Sequence, residues 1–243
     1  MKKIMLVFVI AMTTVGFVSA DYYVKMKMHT DPVSMMGQNQ PAKDEVSELW
    51  IGDNMFANHS PDRSFIVDLN KEMMYTINHK NKTYIEIKLP FDAMDYYPEQ
   101  MQQMMQGMMS NMKVTVTPTG NKKQIKQWNC DEYDVDMNIM MMNMKMKYWA
   151  TKDVPFDWKV VSEKMMDNMK KLSMRLSEDV VKEFRKIEGF QIASEMNMNV
   201  MGGNIHTTME TLEISEKPAG GNVYSVPAGY AKKDKFSMEE MRQ

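Results

Sequence analysis

Apolar and polar residues alternate with period two through much of this chain, the signature of half-buried strands. In DYYVKMKMHT, Tyr22, Val24, Met26 and Met28 fall on one face and Tyr23, Lys25, Lys27 and His29 on the other. Residues 31–43, holding two prolines, a glycine and polar side chains, read as a loop. EVSELWIGDNMFANHS reads as two strands around a Gly52-Asp53-Asn54 turn. Phe65 to Leu69, Met73 to Asn78 and Thr83 to Leu89 then form three strands separated by short polar links. Parallel pairing needs a crossover of about a dozen residues, so links this short dictate an antiparallel meander.

The period changes after Pro90. Met101, Met104, Met105, Met108, Met109 and Met112 recur at helical spacing, with Gln100, Gln102, Gln103, Gln106 and Ser110 opposite. This predicts an amphipathic helix with a methionine stripe. MKVTVTPTGNKKQI reads as a strand with a turn at Gly120-Asn121, and CDEYDVDMNIMMMNMKMKYWAT as two strands around Asn143. Trp158, Val161, Met165, Met169 and Leu172 keep a second helical period, and Ser177 caps a third helix that ends at Gly189. FQIASEMNMNVMGGNIHTTMETLEIS is a hairpin turning at Gly202-Gly203-Asn204, and Val223 to Val226 offers a last short strand. The expected class is α+β, mainly β. One domain over 21–243 would form a curved antiparallel sheet of roughly ten strands, with two or three helices on its concave face.

The first twenty residues lie outside this pattern. Lys2 and Lys3, an apolar run from Ile4 to Val18, and the small residues of Val18-Ser19-Ala20 predict a signal peptide over 1–20, cleaved after Ala20. The expected location is therefore periplasmic or secreted. Thirty basic residues less Lys2 and Lys3 leave 28 against 32 acidic ones. That mild acidity gives no reason to expect nucleic acid as a partner. Cys130 is the only cysteine, which excludes an intramolecular disulfide and a cysteine metal cluster, and its expected place is a buried strand position.

Composition changes the picture at one residue type: the chain holds 33 methionines. Flexible, polarizable thioethers adapt to ligands of variable shape, and they specify a packed core poorly. The helix residues Met101, Met104, Met105, Met108, Met109 and Met112 are therefore expected to face Met144, Met146, Met196 and Met198 across a cavity for a lipid or other apolar molecule. Thioether sulfur is also a soft Cu(I) ligand. The alternative is thus a periplasmic Cu(I) protein in which Met26, Met28, His29, Met35 and Met36 converge. No catalytic motif is present: there is no GxSxG, HExxH, P-loop or dinucleotide fingerprint, so neither an enzyme nor a cofactor is expected. Asp131, Glu132, Asp134 and Asp136 lack calcium-loop spacing and read as a solvated strand face. A monomer is expected, with Lys232-Lys233-Asp234-Lys235 able to touch anionic head groups transiently.

Several stretches stand in a fixed order: the alternating first strand, EVSELWIGDNMF, FIVDLNKEMMYTINHKNKTYIEI, WNCDEYDV, YWATKDVPFD, KEFRKIEGFQI and VPAGYAKKD. In that order the chain resembles bacterial periplasmic proteins of domain-of-unknown-function family 4412. That family is similar in outline to the outer-membrane lipoprotein carrier (LolA-like) group. The resemblance implies an incomplete antiparallel barrel that holds acyl chains under helices, and it carries over no catalytic residue.

Overall fold

The computed structural model describes residues 21–35, 38–98, 102, 112–139, 142–163, 177–200 and 203–236. The described chain opens with β1 (Asp21–Thr30) and a two-stranded ribbon of β2 (Val33–Met35) and β3 (Gln38–Gln40). A first meander follows: β4 (Lys43–Ile51), β5 (Met55–His59), β6 (Arg63–Asp68), β7 (Met73–Asn78) and β8 (Thr83–Lys88), then the short helix α1 (Ala93–Tyr96). The second meander is β9 (Lys113–Ile125), β10 (Trp128–Ile139), β11 (Met142–Thr151), β12 (Phe190–Val200) and β13 (Gly203–Lys217). Between β11 and β12 lie a helical run over 158–163 and α2 (Glu178–Phe184). Last comes β14 (Ala231–Lys233), which pairs in parallel with β8.

All but the ribbon join one 12-stranded sheet in the order β14-β8-β7-β6-β5-β4-β1-β13-β12-β11-β10-β9. The first meander is local in sequence, the second carries the helical insertion between β11 and β12, and β1 pairs antiparallel with β4 on one side and β13 on the other. Both edges are blunted, β14 by Lys232 and Lys233 and β9 by Pro118 and its lysines, which discourages pairing with a second chain.

Two links of the first meander use the same device. The Asp68 carboxylate accepts the Lys71 N–H at 3.0 Å, and the Asn78 side-chain oxygen accepts the Asn81 N–H at 3.0 Å. Each link closes on a left-handed residue, Glu72 at φ 53° and Lys82 at φ 50°. Turns held by such side-chain-to-backbone bonds fix the register of the strands they join.

The Gly120-Asn121 turn expected from sequence is instead a bulge inside β9. Between the pairs Pro118–Tyr133 and Lys122–Asp131, residues 119–121 stand opposite Glu132. Gly120 takes φ +79°, and the Glu132 carboxylate accepts from Asn121 Nδ2 at 3.1 Å. A glycine at positive φ is what such a bulge requires, so the same residue type served a different purpose.

Apolar clusters lie on both faces of the first meander. On one face Val24, Ile51, Phe56, Val67 and Ile87 pack with Phe156 and Val161. On the other, Tyr23, Trp50, Ala57, Ile66 and Ile77 meet Val223, Tyr224, Val226 and Tyr230. Residues 223–226 are therefore a turn-rich cover, not the strand expected there. The second meander buries Val116, Tyr133, Val135 and Met146 against Val180 of α2.

The expected sheet with two or three helices on a concave face is overturned. A 12-stranded sheet dominates, and the described helices are short. At about 1.5 Å per residue, the seven residues of α2 cover some 10 Å, two strand spacings of about 4.8 Å. A helix that short plugs one cluster and cannot line a sheet this wide. The sheet also has more strands than the ten expected, and the β2–β3 ribbon stands where a loop is expected.

Val24 is fully buried, between Leu49 and Ile214 in register. Val24→Ala is expected to cost about 2–3 kcal/mol in urea unfolding. Val24→Pro, which removes ladder bonds at the junction of the two meanders, should leave no cooperative transition.

Candidate functional site

Three cross-strand rows bring strand methionines together on the face that carries Met26 and Met28. The first joins Met137, Met144, Met198 and Ile205; the second joins Val135, Met146, Met196 and Thr207. The third runs from Tyr133 through Tyr148, Ser194 and Met209 to Met28. Directly opposed side chains on antiparallel strands have Cβ atoms about 5 Å apart. Met144 thus stands opposite Met198, and Met146 opposite Met196. Met146 is buried, while Met144, Met196 and Met198 are half-buried. Met112 packs against the same cluster. Met101, Met104, Met105, Met108 and Met109 lie outside the described residues.

A cavity of about 340 Å³ opens at the end of the third row, between the β2–β3 ribbon and the sheet. Met28, Val33, Pro41 and Ile205 supply its apolar wall; Thr30, Asp31, Gln40, Lys43 and Glu45 supply polar groups. Met28 is 39 % exposed there, unusual for a large apolar side chain on a core-facing strand position. This cavity depends on a ribbon within the expected loop over 31–43, and nothing local in sequence announces where a ribbon will lean.

The alternative metal set is not gathered by the described residues. Met26 and Met28 share one face of β1, and His29 points to the other. His29 is already engaged, Nδ1 with Asp44 at 2.9 Å and Nε2 with Asp31 at 3.2 Å. Met36 and the Met35 side chain lie outside the described residues. Among the described residues, no group of three or more His, Cys, Asp or Glu is arranged to hold a metal ion.

The histidines make two networks that sequence spacing conceals. Asp31 bridges His29 and His206, with His206 Nδ1 at 2.8 Å and its Nε2 at 3.3 Å from Glu195. These bonds cross the junction between β1 and the second meander. The second network centres on Ser64, which is fully buried and lies 2.8 Å from His59 Nδ1 and 2.7 Å from His79 Nε2. His59 Nε2 lies 2.9 Å from the Val223 carbonyl, and His79 Nδ1 lies 3.0 Å from the Tyr230 hydroxyl. A carbonyl can only accept, which fixes one direction for the chain when both rings are neutral. Tyr230 O–H donates to His79, His79 to Ser64, Ser64 to His59, and His59 to Val223. Ser64 between two imidazoles looks like an activated nucleophile, but its full burial leaves a substrate no approach. Its work is to clasp residues 223–230 onto the sheet.

Cys130 is 1 % exposed, and burial pushes its thiol up to about 11. The acidic run alternates between the two faces of β10, with Asp131 paired to Lys122 at 2.6 Å on one face and Asp134 to Lys147 at 2.9 Å on the other.

Burial, reinforced by the charge of His59, lowers the His79 pKa below the ordinary value of 6.5. A histidine lowered on folding contributes stability that is lost as pH falls from its unfolded value through its folded one. His206 is raised, mainly by its bond to Asp31, so its contribution is present below the unfolded value and lost as pH rises through the folded one. Limited proteolysis should therefore cut residues 219–230 faster at pH 5 than at pH 7.5, and His79→Gln should flatten that difference. Iodoacetamide should leave Cys130 unmodified until the protein is denatured.

No curated protein matches this chain. A family model described as a domain of unknown function (DUF4412) matches residues 26–230, from within β1 to the end of the clasped segment. That span takes in both meanders, the methionine rows and both histidine networks, and the chain belongs to this family.

Proposed function

We propose that the protein is exported and acts in the periplasm as a non-enzymatic binding protein for a lipid or other apolar molecule, a role akin to that of lipoprotein carriers. The observation that carries this reading is the cavity of about 340 Å³ bounded by Met28 and Ile205. It lies in the size range of small-molecule sites, whose walls are mostly apolar with a few polar groups. Through Met209 and Met198 its apolar wall continues into the methionine rows, so a long ligand has a surface to extend along. A tail that buries about 200 Å² of apolar area there gains roughly 5 kcal/mol. Half-buried methionines suit ligands of varied shape, because each can re-pack at little cost.

A second reading, Cu(I) binding, is favoured by one observation: Met144–Met198 and Met146–Met196 are opposed pairs on adjacent strands. Soft thioethers at that spacing are plausible Cu(I) ligands.

Native mass spectrometry of the protein purified from a periplasm separates the two. A heterogeneous adduct of lipid mass, lost on denaturation, is expected. Replacing Met144, Met146, Met196 and Met198 with Leu conserves volume and apolarity, so that adduct should persist while any Cu(I) uptake disappears. A bare protein that takes up stoichiometric Cu(I), lost in the Leu variant, sinks the lipid reading.

A further inference from the structure

A second cavity, of about 160 Å³, lies in the first meander and contains no methionine. Phe65, Tyr97 and Phe236 supply aromatic walls, and Arg63, Thr76 and Asn78 supply polar groups. Register places Phe65, Thr76 and Ile85 in one row and Arg63, Asn78 and Thr83 in the next, all on one face. That is the face where Ile85 joins the core with Val24 and Val67. Tyr97 and Phe236 stack at 5.1 Å and 28°, and Phe236 N–H donates to the Tyr96 carbonyl at 3.0 Å. These contacts tie the end of the described chain to the segment after α1, beside the cavity.

Two features of this wall make poor sense as packing alone. Phe65 is 43 % exposed although it occupies a core-facing strand position. The Thr76 hydroxyl is buried without a hydrogen-bond partner, a condition that costs about 1–3 kcal/mol. Both would be relieved by one occupant that is apolar at Phe65 and polar at Thr76. Arg63 adds a guanidinium whose planar fork suits a carboxylate, and its five donors can serve more than one acceptor. Size narrows the class further, since an apolar cavity of about 150 Å³ accepts a benzene ring.

We propose that this cavity is a binding site for a one-ring aromatic carboxylate. The ring lies against Phe65 and the Tyr97–Phe236 stack. The carboxylate accepts from the Arg63 guanidinium, and the Thr76 hydroxyl donates to it as well. The site is separate from the methionine rows and stands or falls independently of the lipid reading.

Benzoate and benzyl alcohol, titrated into the exported protein and followed by amide NMR shifts, test this. Benzoate should shift residues 63–65, 76–78 and 97, and bind about ten-fold tighter than the alcohol, which lacks the charge. Arg63→Gln should erase that preference, weakening benzoate far more than the alcohol. Thr76→Val should weaken benzoate yet raise the melting temperature, because the orphan hydroxyl is gone. Replacing Met144, Met146, Met196 and Met198 with Leu should leave benzoate binding as it was. Shifts outside this cavity, equal affinity for the two probes, or a preference that survives Arg63→Gln would each overturn the proposal.

Discussion

The antiparallel pairing of β1 with both β4 and β13 is the constraint on which the rest of the structure depends. Without it there are two meanders, each with an exposed central edge; with it there is one sheet. The same strand orders the chemistry of both faces. Val24 and Met26 join the helix-bearing core, Met28 ends a methionine row, and Tyr23 anchors the face under the C-terminal cover. His29 adds a polar tie on that second face, through Asp44 to the first meander and through Asp31 and His206 to the second. Strand hydrogen bonds and side-chain bonds thus hold the same junction.

Much of the sheet was legible because its period is local. Tyr22, Val24, Met26 and Met28 announce their shared face in seven residues, and the links at Asn70 and His79 are too short for any other topology. The layer of helices was not legible, because how many helices cover a sheet depends on the sheet's width, which no local period encodes. Gly120-Asn121 misled for a related reason: glycine beside asparagine suits a hairpin turn and a bulge equally, and only the partner strand decides.

The site was legible in part. Met144, Met146, Met196 and Met198 could be placed on one face from MxM spacing, and the register set them opposite each other. The cavity beside Met28 could not be foreseen, since its walls come from β1, the ribbon, β4 and β13. The Ser64 network was hidden for the same reason. His59 and Ser64 are neighbours in sequence, but Val223 and Tyr230 reach them from the far end of the chain, and no residue spacing encodes that meeting.

The place of β1 in the strand order carries a consequence for how the chain reaches its native state. Asp21 pairs with Lys217, so β1 must wait until the eleven strands between it and β13 have been made. The first meander, by contrast, can assemble as soon as it emerges. Long-range strand pairing of this kind is slow, and until β13 arrives one edge of β1 is open to any other extended chain. Lys25 and Lys27 lie on that waiting strand, and their charge makes self-association during the delay less favourable.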